Sequence, residues 1–246
     1  MLSRLFAFSF CLLLPFFAQA EFKVPSLQGP VMDEVGYIHP ADARELSRLL
    51  YEFNQRGVAQ VQVLVVPTLD GMPIEQASIK ITDAWKLGEK KKDNGVLFLI
   101  AAQEHQMRIE VGQGLEGAIP DVYAKRIIAD EVIPLFKNQQ TSEGIVLGVH
   151  EILSLADKEF AAQNNLQTVP AEQAEPEDGR RHRINPLFII LFLIIVSILG
   201  RFGGGRGRFI GGGFGGGGFG GFGGGGGGGW SGGGGGFSGG GSSGSW

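Results

Sequence analysis

Three carboxylates stand in or beside glycine-bearing segments: Asp93 in Lys92-Asp93-Asn94-Gly95, Glu116 in Gly112-Gln113-Gly114-Leu115-Glu116-Gly117, and Asp121 shortly after it. Carboxylates on a bending backbone suit a hard divalent cation, which takes oxygen ligands from side chains and carbonyls alike. The three meet if the apolar run that starts at Gly95 pairs in a hairpin with the alternating run that ends at Gly112, because the entrance to one strand then lies beside the exit from the other. On that topology Asp93, Glu116 and Asp121 form a shared metal site, with calcium favoured over magnesium because flexible loop oxygens suit its looser coordination. Each residue also has a plainer role open to it: Asp93 in a tight turn, Glu116 as a solvated loop residue, Asp121 at the positive end of a helix.

No catalytic group of unmistakable type accompanies them, and no catalytic residue is assigned. Gly112 to Gly117 matches G-x-G-x-x-G. Two helices follow it, however, where a dinucleotide fold needs another parallel strand with an acidic ribose ligand ~20 residues on, so no dinucleotide is expected. G-x-S-x-G around Ser231 and around Ser238 arises from a glycine tract, without the strand-to-helix elbow or a partner His and acid. His39, His105, His150 and His182 fall on different elements without metal-ligand spacing. The only cysteine, Cys11, lies in the leader, so the mature protein has no disulfide, cysteine zinc site or thiol nucleophile. A net charge of -4 offers nucleic acid no general attraction.

Behind the carboxylates stand elements with clear periodicity. Pro40 to Gln55 places Leu46, Leu49, Leu50 and Phe53 on one helical face, with Pro40 suited to the first turn. Gln60 to Pro67 reads as a buried, valine-rich strand, and Ile74 to Leu87 as a helix that Gly88 can stop. Gly95 to Ala102 is a continuous apolar run, and Gln106 to Gly112 alternates Met107, Ile109 and Val111 with polar residues. Two further helices follow, one through Ala124, Ile127, Ile128, Val132 and Leu135, the other through Ile145, Val149, Ile152, Leu153 and Ala156. Strand, helix and strand imply a parallel crossover and the hairpin adds an antiparallel strand, which together predict an α/β domain with a small mixed sheet between helices.

The chain divides into five segments. Residues 1–20 read as a signal peptide, with Arg4, an apolar run and Ala18-Gln19-Ala20 at the cleavage site. The domain occupies 21–165, a polar linker 166–183, a transmembrane helix 184–202 and a glycine-rich tail 203–246. A signal followed by a stop-transfer helix predicts a single-pass protein of the inner membrane, with the domain periplasmic and the tail cytoplasmic. Arg180, Arg181 and Arg183 before the span balance Arg201, Arg206 and Arg208 after it, so charge does not set the orientation. The tail is expected to be disordered, since glycine loses much entropy on ordering and offers little area in return. Deleting it should then leave the melting temperature unchanged. The sharper alternative is weak self-association or partner contact through its aromatic residues.

Residues Val31 to about Phe160 resemble a TPM domain. The matching pieces are Val31-Met32-Asp33, VQVLVVPTLDG, Trp85 with Gly88, DNGVLFLIA from Asp93, RIEVGQGLEG from Arg108, and Asp121 with Arg126-Ile127-Ile128. The layout of signal, domain, span and glycine-rich tail ending in Ser-Gly-Ser-Trp is similar to the YgcG-like bacterial branch. The resemblance implies a three-layer α/β/α sandwich, divalent cation binding, and a role in maintaining or assembling other membrane proteins. It also implies an alternative, a metal-dependent acid phosphatase acting on phosphate esters. The family pattern includes Asp33, but simple topology puts that residue at the opposite edge from Asp93, so it is not placed in the site.

Overall fold

The computed structural model describes residues 22–166, 168 and 230–246. In chain order the elements are β1 (Val31–Asp33), α1 (Pro40–Gln55), β2 (Gln60–Val66), α2 (Ile74–Trp85), β3 (Gly95–Ala101) and β4 (Gln106–Gly112). A 3-10 turn (Gln113–Leu115) leads to α3 (Asp121–Arg126), a π-helical segment (Ile127–Val132), α4 (Ile133–Lys137), α5 (Thr141–Ala156) and α6 (Lys158–Gln163). A last strand, β5 (Phe237–Ser245), comes from the C-terminal segment.

One mixed sheet of five strands runs β1-β2-β3-β4-β5. β1, β2 and β3 are parallel, while β4 is antiparallel to both β3 and β5. Period-2 alternation of the strands feeds two cores, because helices cover both faces. Val61, Val63, Val65, Phe98, Ile100, Met107 and Ile109 pack with α1, α5 and the π-helical segment. Leu64, Val66, Leu97 and Leu99 pack under Ile74, Ala77, Ile81 and Trp85 of α2. The expected α/β class with a mixed sheet between helices is what forms.

Local chemistry explains most boundaries. α1 starts with Pro40 in its first turn and buries Leu46, Leu49, Leu50 and Phe53 as one stripe. α2 stops at Lys86, whose φ of 52° makes the left-handed cap two residues before the expected Gly88. Gly88 serves close packing instead, since a Cβ there would meet the Gly95 nitrogen at 2.5 Å. Asp33 closes the turn after β1: its Oδ1 accepts the Val35 and Gly36 amides and its Oδ2 the Ile38 amide. That turn follows the β1 end paired with Val65, whereas Asp93 precedes Gly95 at the other end of the strands.

The disordered tail is corrected for Trp230–Trp246. These residues belong to the same compact unit as the domain, and β5 pairs with β4 from Gln106↔Ser245 to Gly112↔Phe237, with a register shift at Val111/Gly112. The physical reason is the unpaired edge of β4, whose amides and carbonyls need partners that a glycine strand reaches by main chain alone. No helix among the described residues is long and apolar enough to cross a membrane. The expected signal, most of the linker and the expected span at 184–202 lie outside the described residues.

Candidate functional site: a carboxylate edge filled by a strand

The hairpin of β3 and β4 brings the predicted loops together. Asp93 sits in the turn before β3 with φ 48°, and its carbonyl accepts the Gly114 amide at 3.0 Å. The first two glycines of the G-x-G-x-x-G string serve this approach: a Cβ on Gly112 would lie 2.3 Å from the Asp93 carbonyl oxygen, and one on Gly114 1.7 Å from that of Lys92. Asn94 clamps the same turn, accepting the Glu89 amide and donating to the Val58 carbonyl. Glu116 ends the 3-10 turn, and Asp121 opens α3 directly after Pro120.

Each of the three carboxylates holds a different donor of the C-terminal segment. Asp93 Oδ1 accepts the Gly236 amide at 2.6 Å, Glu116 Oε1 the Ser238 hydroxyl at 2.7 Å, and Asp121 Oδ1 the Gly241 amide at 2.7 Å. The predicted residues therefore line one edge, spread along a strand. Among the described residues, no group of three or more His, Cys, Asp or Glu side chains could hold a metal ion. With its donors in place the strand occupies one oxygen of each of the three carboxylates.

Further contacts lie outside the predicted site. Before β5 the segment crosses the ends of β2 and β3, where Trp230 Nε1 donates to Gln62 Oε1 at 2.6 Å and Gln60 Nε2 donates to the Ser231 carbonyl. The Gly233 amide donates to the Gly88 carbonyl, and the Gly234 amide to that of Lys86. Along β5, Ser243 donates to Glu75 Oε1 on α2 at 2.6 Å, which holds the Glu75 carboxyl below its ordinary range. At the far end the Trp246 ring meets Phe136 edge-on at 4.7 Å, and its amide donates to the His105 carbonyl.

Beside the strand lies a buried polar network. Arg108 Nε donates to Glu110 Oε2 at 2.6 Å and to the Ser78 hydroxyl, which itself donates to the same carboxylate oxygen. Arg108 Nη2 reaches out to the Gly239 carbonyl at 3.1 Å. Burial pushes the Glu110 carboxyl up, against the pull of Arg108. Sequence alternation in QMRIEVG puts Arg108 and Glu110 on a polar face, but both are buried. Glutamines at 60 and 62 inside an apolar strand were the other available signal. Among the described residues no histidine belongs to a metal-holding group, and His39 and His105 are exposed; His182 lies outside the described residues.

The TPM domain family (TPM_phosphatase) matches residues 31–155, from β1 nearly to the end of α5. The chain belongs to the TPM domain family. Among solved structures, this TPM domain is similar to the N-terminal domain of a protein from P. gingivalis, with 28% identity, a TM-score of 0.50, and coverage of 54% of this chain and 85% of that one. It also matches the N-terminal domain of the cg2496 protein from Corynebacterium glutamicum at 13% identity and a TM-score of 0.37, covering 62% of this chain and 95% of that one. No curated protein matches. The family match ends before the C-terminal segment, so the strand that fills the carboxylate edge is an addition to the matched TPM region.

Proposed function

We propose that this is an exported TPM domain, held at the membrane by the apolar stretch 184–202 in a way that leaves the domain and the C-terminal segment on the same side, and that it acts as a non-catalytic accessory module. Its carboxylate edge recognises an extended glycine-rich strand, and the chain's own C-terminal segment is the resident ligand. The observation that supports this reading is that Asp93, Glu116 and Asp121 each accept one hydrogen bond from that segment. Strand addition takes affinity from main-chain bonds and specificity from what the side-chain positions admit. Here the specificity is for glycine, because a Cβ at 232, 235, 241 or 244 would fall within 2.6 Å of an atom of the domain. A module that grips extended segments suits the upkeep of membrane proteins that the resemblance implies.

Titrating a peptide of Trp230–Trp246 into a chain ending at Gly229 tests the reading by calorimetry. Saturable one-to-one binding is expected, and should be lost when the peptide carries Gly241→Val. No heat at millimolar peptide, with the truncated chain folded by circular dichroism, overturns it. If the same acids bind calcium in the strand-free chain, calcium should compete with the peptide. A metal-dependent acid phosphatase would need the edge open to a phosphate ester. Turnover of a generic ester by the truncated chain, and none by the full chain, would mark that role.

A further inference from the structure

About sixty residues separate Thr168 from Trp230; even with 184–202 helical at ~1.5 Å per residue, the rest can extend to more than ~100 Å at ~3.3–3.6 Å per residue. Connectivity therefore does not decide whose strand sits on whose edge. The advantage of a tethered strand over a free one falls roughly as the −3/2 power of tether length, so a tether this long weakens the preference for the chain's own edge.

The contact is also of a kind that opens without disturbing either core. Ser238, Ser243 and Ser245 of the strand are exposed, as are Glu116 and Asp121 that hold it. The domain cores beneath are built from β1 to β4 and the helices, with Trp230, Phe237 and Trp246 packed only at their margins. An edge that loses its strand presents the unpaired β4 backbone, a template for the next extended chain that fits. A neighbouring copy carries a segment that fits by construction, with glycine at 241 and 244 where the Ile109 carbonyl and Ile128 exclude a side chain.

We propose that β5 is exchanged between copies of this chain, so that Asp93, Glu116 and Asp121 of one copy hold Gly236, Ser238 and Gly241 of a neighbour. The C-terminal segment then acts as a connector between TPM domains. This rests on the strand-recognition reading above, and the test separates the two.

Gln106 and Ser245 stand opposite each other in the β4–β5 register, where Cβ atoms lie ~4.5–5.5 Å apart, close enough for a disulfide with small adjustment. Full-length chains carrying Cys11→Ala are made with Gln106→Cys alone, with Ser245→Cys alone, or with both. The two single variants are produced together in one membrane and oxidised mildly. Exchange predicts a disulfide-linked pair of chains at twice the monomer mass, lost when the Ser245→Cys chain also carries Gly241→Val. If the double variant closes its own disulfide while the mixed single variants stay monomeric, exchange is wrong and strand recognition stands. A linked pair that persists with Gly241→Val reflects chance collision and also overturns exchange. If the double variant forms no disulfide at all, within or between chains, both readings fall.

Discussion

Gly241 has φ +118°, and a Cβ there would lie 1.9 Å from the Ile109 carbonyl oxygen. One at Gly244 would lie 2.5 Å from Ile128 Cγ2. By contrast, Gly117 has nothing within 4 Å and accepts a side chain without contact. Glycine is thus required at particular strand positions by what stands opposite, and the tail is more than a flexible tract. A different residue carries the clearest pH dependence. Burial first, then the neighbouring Glu151 and Asp130, push the Glu131 carboxyl up to about 7. A carboxyl whose folded pKa lies above its unfolded value holds its proton more tightly when folded. The stability it contributes is therefore present at acidic pH and is lost as pH rises from the ordinary carboxylate range through about 7. Glu131→Gln should flatten the fall in melting temperature between about pH 5 and pH 8. Parallel slopes in the two proteins would show that Glu131 carries no such linkage.

β5 forms the edge of the sheet beside β4. Ordering a residue costs about 1–2 kcal/mol of backbone entropy, while a backbone hydrogen bond returns about 0.5–1.5 kcal/mol net. Main-chain pairing alone is then roughly balanced, and the aromatic anchors Trp230 and Trp246, together with the bonds to carboxylates, tip it toward seating. Deleting Trp230–Trp246 should lower the melting temperature, by about 2–4 °C for each kcal/mol of seating lost. It should also promote self-association through the bared β4 edge. An unchanged melting temperature, the outcome expected of a disordered tail, would contradict the pairing. β2, β3, β4 and α1 are legible in the sequence because period-2 and 3.6-residue patterns follow directly from burial. β5 is not, since FSGGGSSGS has no alternating apolar residues and few strand formers. Its pairing comes from main-chain bonds and close approach, which composition does not encode. For the same reason the loops of Asp93, Glu116 and Asp121 are legible as lying along one edge, but the strand that these residues hold is not. Arg108 and Glu110 read as a solvent face because the strand and α2 that cover them are distant in sequence.

At the scale of the whole molecule the strand constrains topology. Pairing of β5 with β4, within a chain or between copies, requires Trp230–Trp246 and the TPM domain to share a compartment. A single span at 184–202, with the domain outside and the tail inside, separates them. We therefore expect cysteines at exposed Gln103 and at Ser245, in a Cys11→Ala chain, to react with an impermeant maleimide from the same side of the membrane. Labelling of Ser245→Cys only after permeabilisation would restore the expected cytoplasmic tail and leave the β4 edge without this strand. The central claim, that the carboxylate edge is a strand-recognition site filled by a C-terminal segment, is read most directly by hydrogen–deuterium exchange on the full chain in its membrane. Amides of Gln106–Gly112 should be protected in the wild type and should exchange clearly faster in Gly241→Val, while β2, at the centre of the sheet, stays unchanged. Identical exchange across Gln106–Gly112 in the two proteins would contradict the account.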